Sequence, residues 1–152
     1  MSKSPAEEIS KPLDKTDDQV LLILYAHLLI EERLRDIVAQ VCREPQELPA
    51  ARLSFSQVMF LCRSIIGRRD EPPWEFVRRL NEARNRIVHR LDPGDLDGLL
   101  ISVIERLRAD YADHLGSPLE RFRVAVVYAC GYLDSIKGST RLRQAYEGEG
   151  NS

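Results

Sequence analysis

Apolar side chains along this chain recur every three or four positions rather than every second one, and that spacing predicts helices throughout. Thr16-x-x-Gln19 has the form of a capping box, in which two side chains satisfy each other's orphan amides. It opens a stretch with apolar residues at 20, 23, 24, 30, 34, 37, 38 and 41 and a histidine, His27, in the same stripe. A helix from there to about Cys42 has ~26 residues and spans ~39 Å, which suits the spine of a bundle. Pro45 and Pro49 end it.

Ser54-x-x-Gln57 is a second capping box, opening a short helix that Gly67 can stop. Pro72-Pro73 supplies a favoured first-turn proline for a third helix, Trp74 to Leu91, which Asp92-Pro93-Gly94 breaks. A fourth is expected from about Asp95 to Leu115. Gly116-Ser117-Pro118-Leu119-Glu120 combines a stop, a cap, a first-turn proline and a box glutamate, and starts a fifth that runs to about Lys137, before Gly138. Five helices with short connections predict one all-α, up-and-down bundle over residues 16–138. Residues 1–15, with Pro5, Pro12 and scattered charge, are expected to be a flexible tail, and residues 139–152 a frayed one.

Composition narrows this little: 152 residues, 43% hydrophobic and 30% charged, describe an ordinary globular domain. Cys42, Cys62 and Cys130 are three in number, widely spaced and set among apolar neighbours, so they read as reduced packing residues. No apolar run reaches membrane-spanning length and MSKSPAEEISK contains no secretory stretch, so the expected compartment is the cytoplasm, away from membranes. Charge changes the picture more. The formal net charge is only −2, yet residues 52–90 carry nine arginines against four acids, and residues 92–120 carry seven acids against two arginines. Either these are solvated helix faces, or one region attracts a polyanion that the other repels.

The third helix breaks its own pattern. Its apolar stripe, Val77, Leu80, Ile87 or Val88 and Leu91, has Arg84 where a hydrophobe belongs, and a guanidinium there must meet an anion or a polar cluster. Asn81, Asn85 and His89 follow at four-residue intervals and stack along one side. Arg84 and His89 lie five apart, roughly 140° around the axis. One helix therefore splays them, and a second surface or subunit is needed to gather them.

The stretch Leu80–Leu91, LNEARNRIVHRL, resembles the signature of the HEPN superfamily: an arginine, a polar residue, three variable positions and a histidine, here Arg84, Asn85 and His89. The likeness extends loosely from Val20, through His27-x-x-x-Glu31 and the RLSFSQ turn, and the same layout is similar to the mannitol-repressor family of helical regulators. The resemblance implies a homodimer whose motif helices face one another across a composite cleft. It implies a metal-independent endoribonuclease, a toxin or phage-defence effector, with no cofactor. The ribose 2′-hydroxyl would attack the adjacent phosphate. Arg84, Asn85 and His89 would be catalytic, Asn81, Arg86 and Arg90 would hold RNA, and His27 with Glu31 would support them from behind. The residue chemistry agrees, since an imidazole exchanges protons near neutrality and a guanidinium forks onto phosphate oxygens. Family toxins modified by a partner nucleotidyltransferase carry a tyrosine two positions after the histidine; Leu91 stands there in this chain, which puts that route in doubt.

Other readings of the same residues stay open. The same helices also suit a non-catalytic transcriptional regulator or protein-binding module, and an antitoxin or regulatory protein is a further candidate partner beside RNA. His27 beside Glu31 can equally be a satisfied core histidine. His114 suits a helix end, the Arg68-Arg69 pair suits loop charge, and Trp74, Tyr25, Tyr128 and Tyr132 suit packing. The three histidines and three cysteines have no metal-ligand spacing, so no metal is expected.

Overall fold

A computed structural model describes residues 5–68, 70–90, 92, 94–105, 107, 116–137 and 139. Among them the fold is all-α: α1 (Pro5–Asp14), α2 (Gln19–Val41), a 3-10 turn (Pro45–Glu47), α3 (Leu48–Ala51), α4 (Phe55–Ile66), α5 (Pro72–His89), α6 (Leu96–Ile104) and α7 (Pro118–Lys137). None of these helices is long and apolar enough to cross a membrane.

The spine is α2. It touches α1, α4, α5, α6 and α7, and its inward face carries Leu22, Ile23, Ala26, His27, Ile30, Leu34, Ile37 and Val38. The cap differs from the expected box: Asp18, not Thr16, is the N-cap, accepting from the amides of Val20 at 2.9 Å and Leu21 at 3.2 Å. Thr16 Oγ1 instead accepts from the Asp18 amide at 3.1 Å. A carboxylate outcompetes a hydroxyl there because two orphan amides converge on it. The Ser54–Gln57 box forms as expected, with Gln57 N donating to Ser54 Oγ at 3.2 Å and Ser54 N donating to Gln57 Oε1 at 2.8 Å. Gly67 closes α4 in the left-handed region, φ 73°. Proline entries at Pro72 and Pro118 set the starts of α5 and α7.

Three expectations are corrected. Residues 1–15 are not simply a loose tail, because Pro5–Asp14 is helical and lays Ile9 and Leu13, one turn apart, into the core beside α7. Pro12 hides this helix in the sequence, since it removes one amide donor, but burial outweighs that loss. Arg123 of α7 completes the junction, its Nε donating to the Leu13 carbonyl at 2.9 Å and its Nη2 to Asp17 Oδ1 at 2.9 Å. Second, the link between the spine and α4 is not plain loop; it holds the 3-10 turn and α3, ending at Arg52 with φ 48°. A left-handed L-residue costs about 1–2 kcal/mol, and among the described residues no other non-glycine has positive φ. Third, seven α-helices are described rather than five; α6 runs from Leu96 to Ile104, and residues 106 and 108–115 of the helix expected to reach Leu115 lie outside the described residues. His114, Leu91, Arg69 and residues 140–152 lie outside the described residues.

The core joins Trp74, Phe76 and Phe122 to the aliphatic face of α2, with Phe76 and Phe122 ring centroids 6.3 Å apart. Trp74 and Tyr132 pack as expected, in an edge-on pair at 6.2 Å, whereas Tyr25 and Tyr128 are exposed. Cys62 and Cys130 are buried free thiols, pushed up by desolvation to about 12 and about 11; Cys42 is half-buried. Leu13→Ala is expected to lower unfolding free energy by ~2–5 kcal/mol in urea titrations. An unchanged midpoint would restore the loose tail.

Candidate functional site

The site is built where α2, α4 and α5 meet. His27 enters from the spine as a buried polar side chain, 6% exposed, and three neighbours accommodate it. Its Nε2 lies 3.1 Å from Asn81 Oδ1. Asn81 Nδ2 donates to Ser56 Oγ at 3.2 Å, which orients the amide so that its oxygen faces the ring and Nε2 carries the proton. Phe55 stacks on the imidazole, centroids 4.2 Å apart. Nδ1 is left facing Glu31 Oε2 at 3.8 Å. Burial lowers the His27 pKa, with Arg84 adding to that, against the raising effects of Asn81 and Glu31.

Beside this cluster Arg84 comes off α5 half-buried, its Nη1 donating to Asn85 Oδ1 at 3.3 Å. His27, Glu31, Ser54, Phe55, Ser56, Asn81, Arg84 and Asn85 enclose a cleft of about 230 Å³. The polar cluster that Arg84's place in an apolar stripe demanded is therefore there, supplied by α2 and α4. Ser56 went unnoticed in the sequence, where a serine one position inside a helix carries no signal. Ser54 was legible only as a cap.

His89 does not line the cleft. It is the last residue of α5, exposed, with Arg90 beyond it in extended backbone. Arg86 leaves the opposite side of the helix from Arg84, roughly 200° away, where its Nη2 would stand 3.5 Å from a Cβ placed on Gly94. Of the residues expected to act together, Asn81, Arg84, Asn85, His27 and Glu31 converge, and His89, Arg86 and Arg90 stand apart.

The excess of arginine is also redistributed. Arg78 pairs with Glu75 at 2.6 Å and with Glu82, while Arg79 pairs with Glu75 and Glu105, both at 2.9 Å. Shared between two guanidiniums, Glu75 is held down at about 2 by its hydrogen bonds to Arg78 and then Arg79. The first half of α5 is thus neutralised within itself. Arg84, Arg86 and Arg90 meet no carboxylate among the described residues, which leaves the far end of the helix positive.

No protein-family model, curated protein or solved structure matches the chain.

The lowered His27 pKa fixes a sign. On acidification the unfolded chain takes up the proton first, so this contribution to stability is intact above the ordinary value of 6.5 and is lost as pH falls below it. Urea midpoints at pH 7.5 and pH 5.5 should differ more for wild type than for His27→Gln. Glu75 contributes its own loss lower, as pH falls from 4.5 toward 2. Equal sensitivity of the two proteins between pH 7.5 and 5.5 would refute the neutral, buried imidazole.

Proposed function

We propose that this chain is a metal-independent endoribonuclease of the HEPN kind, working as a homodimer. The observation that carries the proposal is Arg84: a half-buried guanidinium at the edge of a polar cleft, bonded to Asn85 and to no carboxylate among the described residues. Such a group is a preformed receptor for a phosphate oxygen pair. Asn81 and Asn85 line the same wall and offer amide donors to a ribose or backbone.

His89 supplies the proton chemistry from the exposed end of α5. One copy takes the proton from the 2′-hydroxyl, whose oxygen attacks phosphorus while the P–O5′ bond breaks. The copy from the second subunit returns a proton to the leaving oxygen, and Arg84 holds the charge that builds on the phosphoryl oxygens. Products are a 2′,3′-cyclic phosphate and a 5′-hydroxyl. Dimerisation has surface available to it, since Val88, beside His89, is 52% exposed, and Leu21 and Leu28 on α2 are 54% and 59% exposed. A stable interface would bury on the order of 1,200–2,000 Å².

A second reading draws on the separation of His89 from the cleft in a single subunit. Without His89 in it, the cleft alone suits a non-catalytic regulator that binds an anionic partner group at Arg84.

The two readings part in an RNA-cleavage assay run with chelator. The enzyme requires a dimer in analytical ultracentrifugation and cleavage that survives chelation. His89→Ala should slow cleavage roughly 10²–10⁴-fold, and Arg84→Lys should also be damaged, because an ammonium lacks the planar fork. Substrates with 2′-deoxyribose at the cut position should resist. Both variants must keep the helical circular dichroism of wild type. A monomer at high micromolar concentration, or a folded wild type that cleaves no RNA but binds a partner through Arg84, would leave only the regulator.

A further inference from the structure

A second cavity lies away from the polar cleft, toward the C-terminal end of α2. It is about 450 Å³, within the range of small-molecule sites, and sits between the C-terminal half of α2, the 3-10 turn with α3, and the start of α4. Val38, Leu48, Pro49, Leu53 and Val58 make its walls apolar. Proline at Pro45 and Pro49 stiffens the overhanging connection.

Three charged side chains stand at this cavity, and they differ in what they already hold. Asp36 is paired with Lys137 at 3.4 Å. Arg35 donates to Glu31 at 2.7 Å and to the Leu53 carbonyl at 2.9 Å. The Arg52 guanidinium is exposed and has no hydrogen bond or ion pair among the described residues. Arg52 is also the residue in left-handed backbone, at φ 48°, where glycine would sit without strain. Strain retained in a non-glycine at the edge of a cavity is characteristic of ligand clamps.

We propose that this cavity binds a small amphipathic monocarboxylate, its aliphatic or aryl body against Val38, Leu48 and Val58 and its carboxylate on Arg52. Two features choose that class. Apart from Arg35, Asp36 and Arg52 the lining side chains are apolar, which favours a hydrocarbon body over a sugar or base, and Asp36 disfavours a second negative charge beside the first. An amine is turned away by Arg35 and Arg52. The inference is independent of the ribonuclease reading, because Arg52 lies outside the polar cleft.

The test uses the full chain and three probes of equal chain length: octanoate, 1-octanol and octylamine, titrated with amide chemical-shift mapping and calorimetry. Octanoate should bind at least about tenfold more tightly than either of the others, with the largest shifts at Val38, Leu48 and Val58. Arg52→Gly removes the guanidinium and relaxes the backbone, so it folds at least as well as wild type. It should weaken octanoate about tenfold or more and leave 1-octanol unchanged. Arg52→Asn, which also tolerates left-handed backbone, should repeat that pattern. Equal binding of the three probes, shifts centred elsewhere, no binding at millimolar octanoate, or unchanged octanoate affinity in both variants would each overturn the proposal.

Discussion

A helix buried along one face through the middle of a bundle must satisfy every polar group it turns inward, and α2 turns in His27. An imidazole in that position without partners would cost several kcal/mol of desolvation. The cost is offset by drawing in Asn81 from α5, Ser56 and Phe55 from α4, and Glu31 from the next turn of α2 itself. Three helices are thereby locked at one level, and the side chains that lock them are also the walls of the polar cleft. The requirement continues along α2: Glu31 engages Arg35, and Arg35 reaches the Leu53 carbonyl. One chain of polar contacts therefore runs from the polar cleft to a wall of the apolar cavity.

Electrostatics on α5 follow from where its acids are placed. Glu75 stands in the first turn and Glu82 past the middle, and with Glu105 they absorb Arg78 and Arg79. Among the described residues Arg84, Arg86 and Arg90 form no ion pair with a carboxylate, and the negative end of the helix dipole lies there too, which favours cations. The result is a helix neutral at its entry and positive at its exit. A chain with net charge −2 can present a local anion site in this way without becoming generally sticky toward polyanions.

How much of this was legible in the sequence depends on whether the deciding contacts are local. Ser54 with Gln57, Pro118, and the break after His89 act within a few residues, and the corresponding helices stand close to where the pattern put them. Pro12 argued locally against α1, and only the long-range burial of Leu13 and the reach of Arg123 overrule it. The site divides the same way. Arg84 in an apolar stripe and His27 in another are visible misfits, and the cleft resolves both. Ser56 and the Arg52 cavity are set by the path of the 42–53 connection, which no periodicity encodes. The angular spread of Arg84 and His89 was likewise readable, because it is a property of one helix.

Trp74 gives the molecule a property of a different kind. It is the chain's single tryptophan, set in the first turn of α5, 1% exposed and edge-on to Tyr132 of α7. All indole fluorescence therefore originates on the helix that carries Arg84 and His89, at its buried end and a full helix length from the exposed one. That helix is in effect already dye-labelled, at a position where the label touches the core and stands clear of Arg84 and His89.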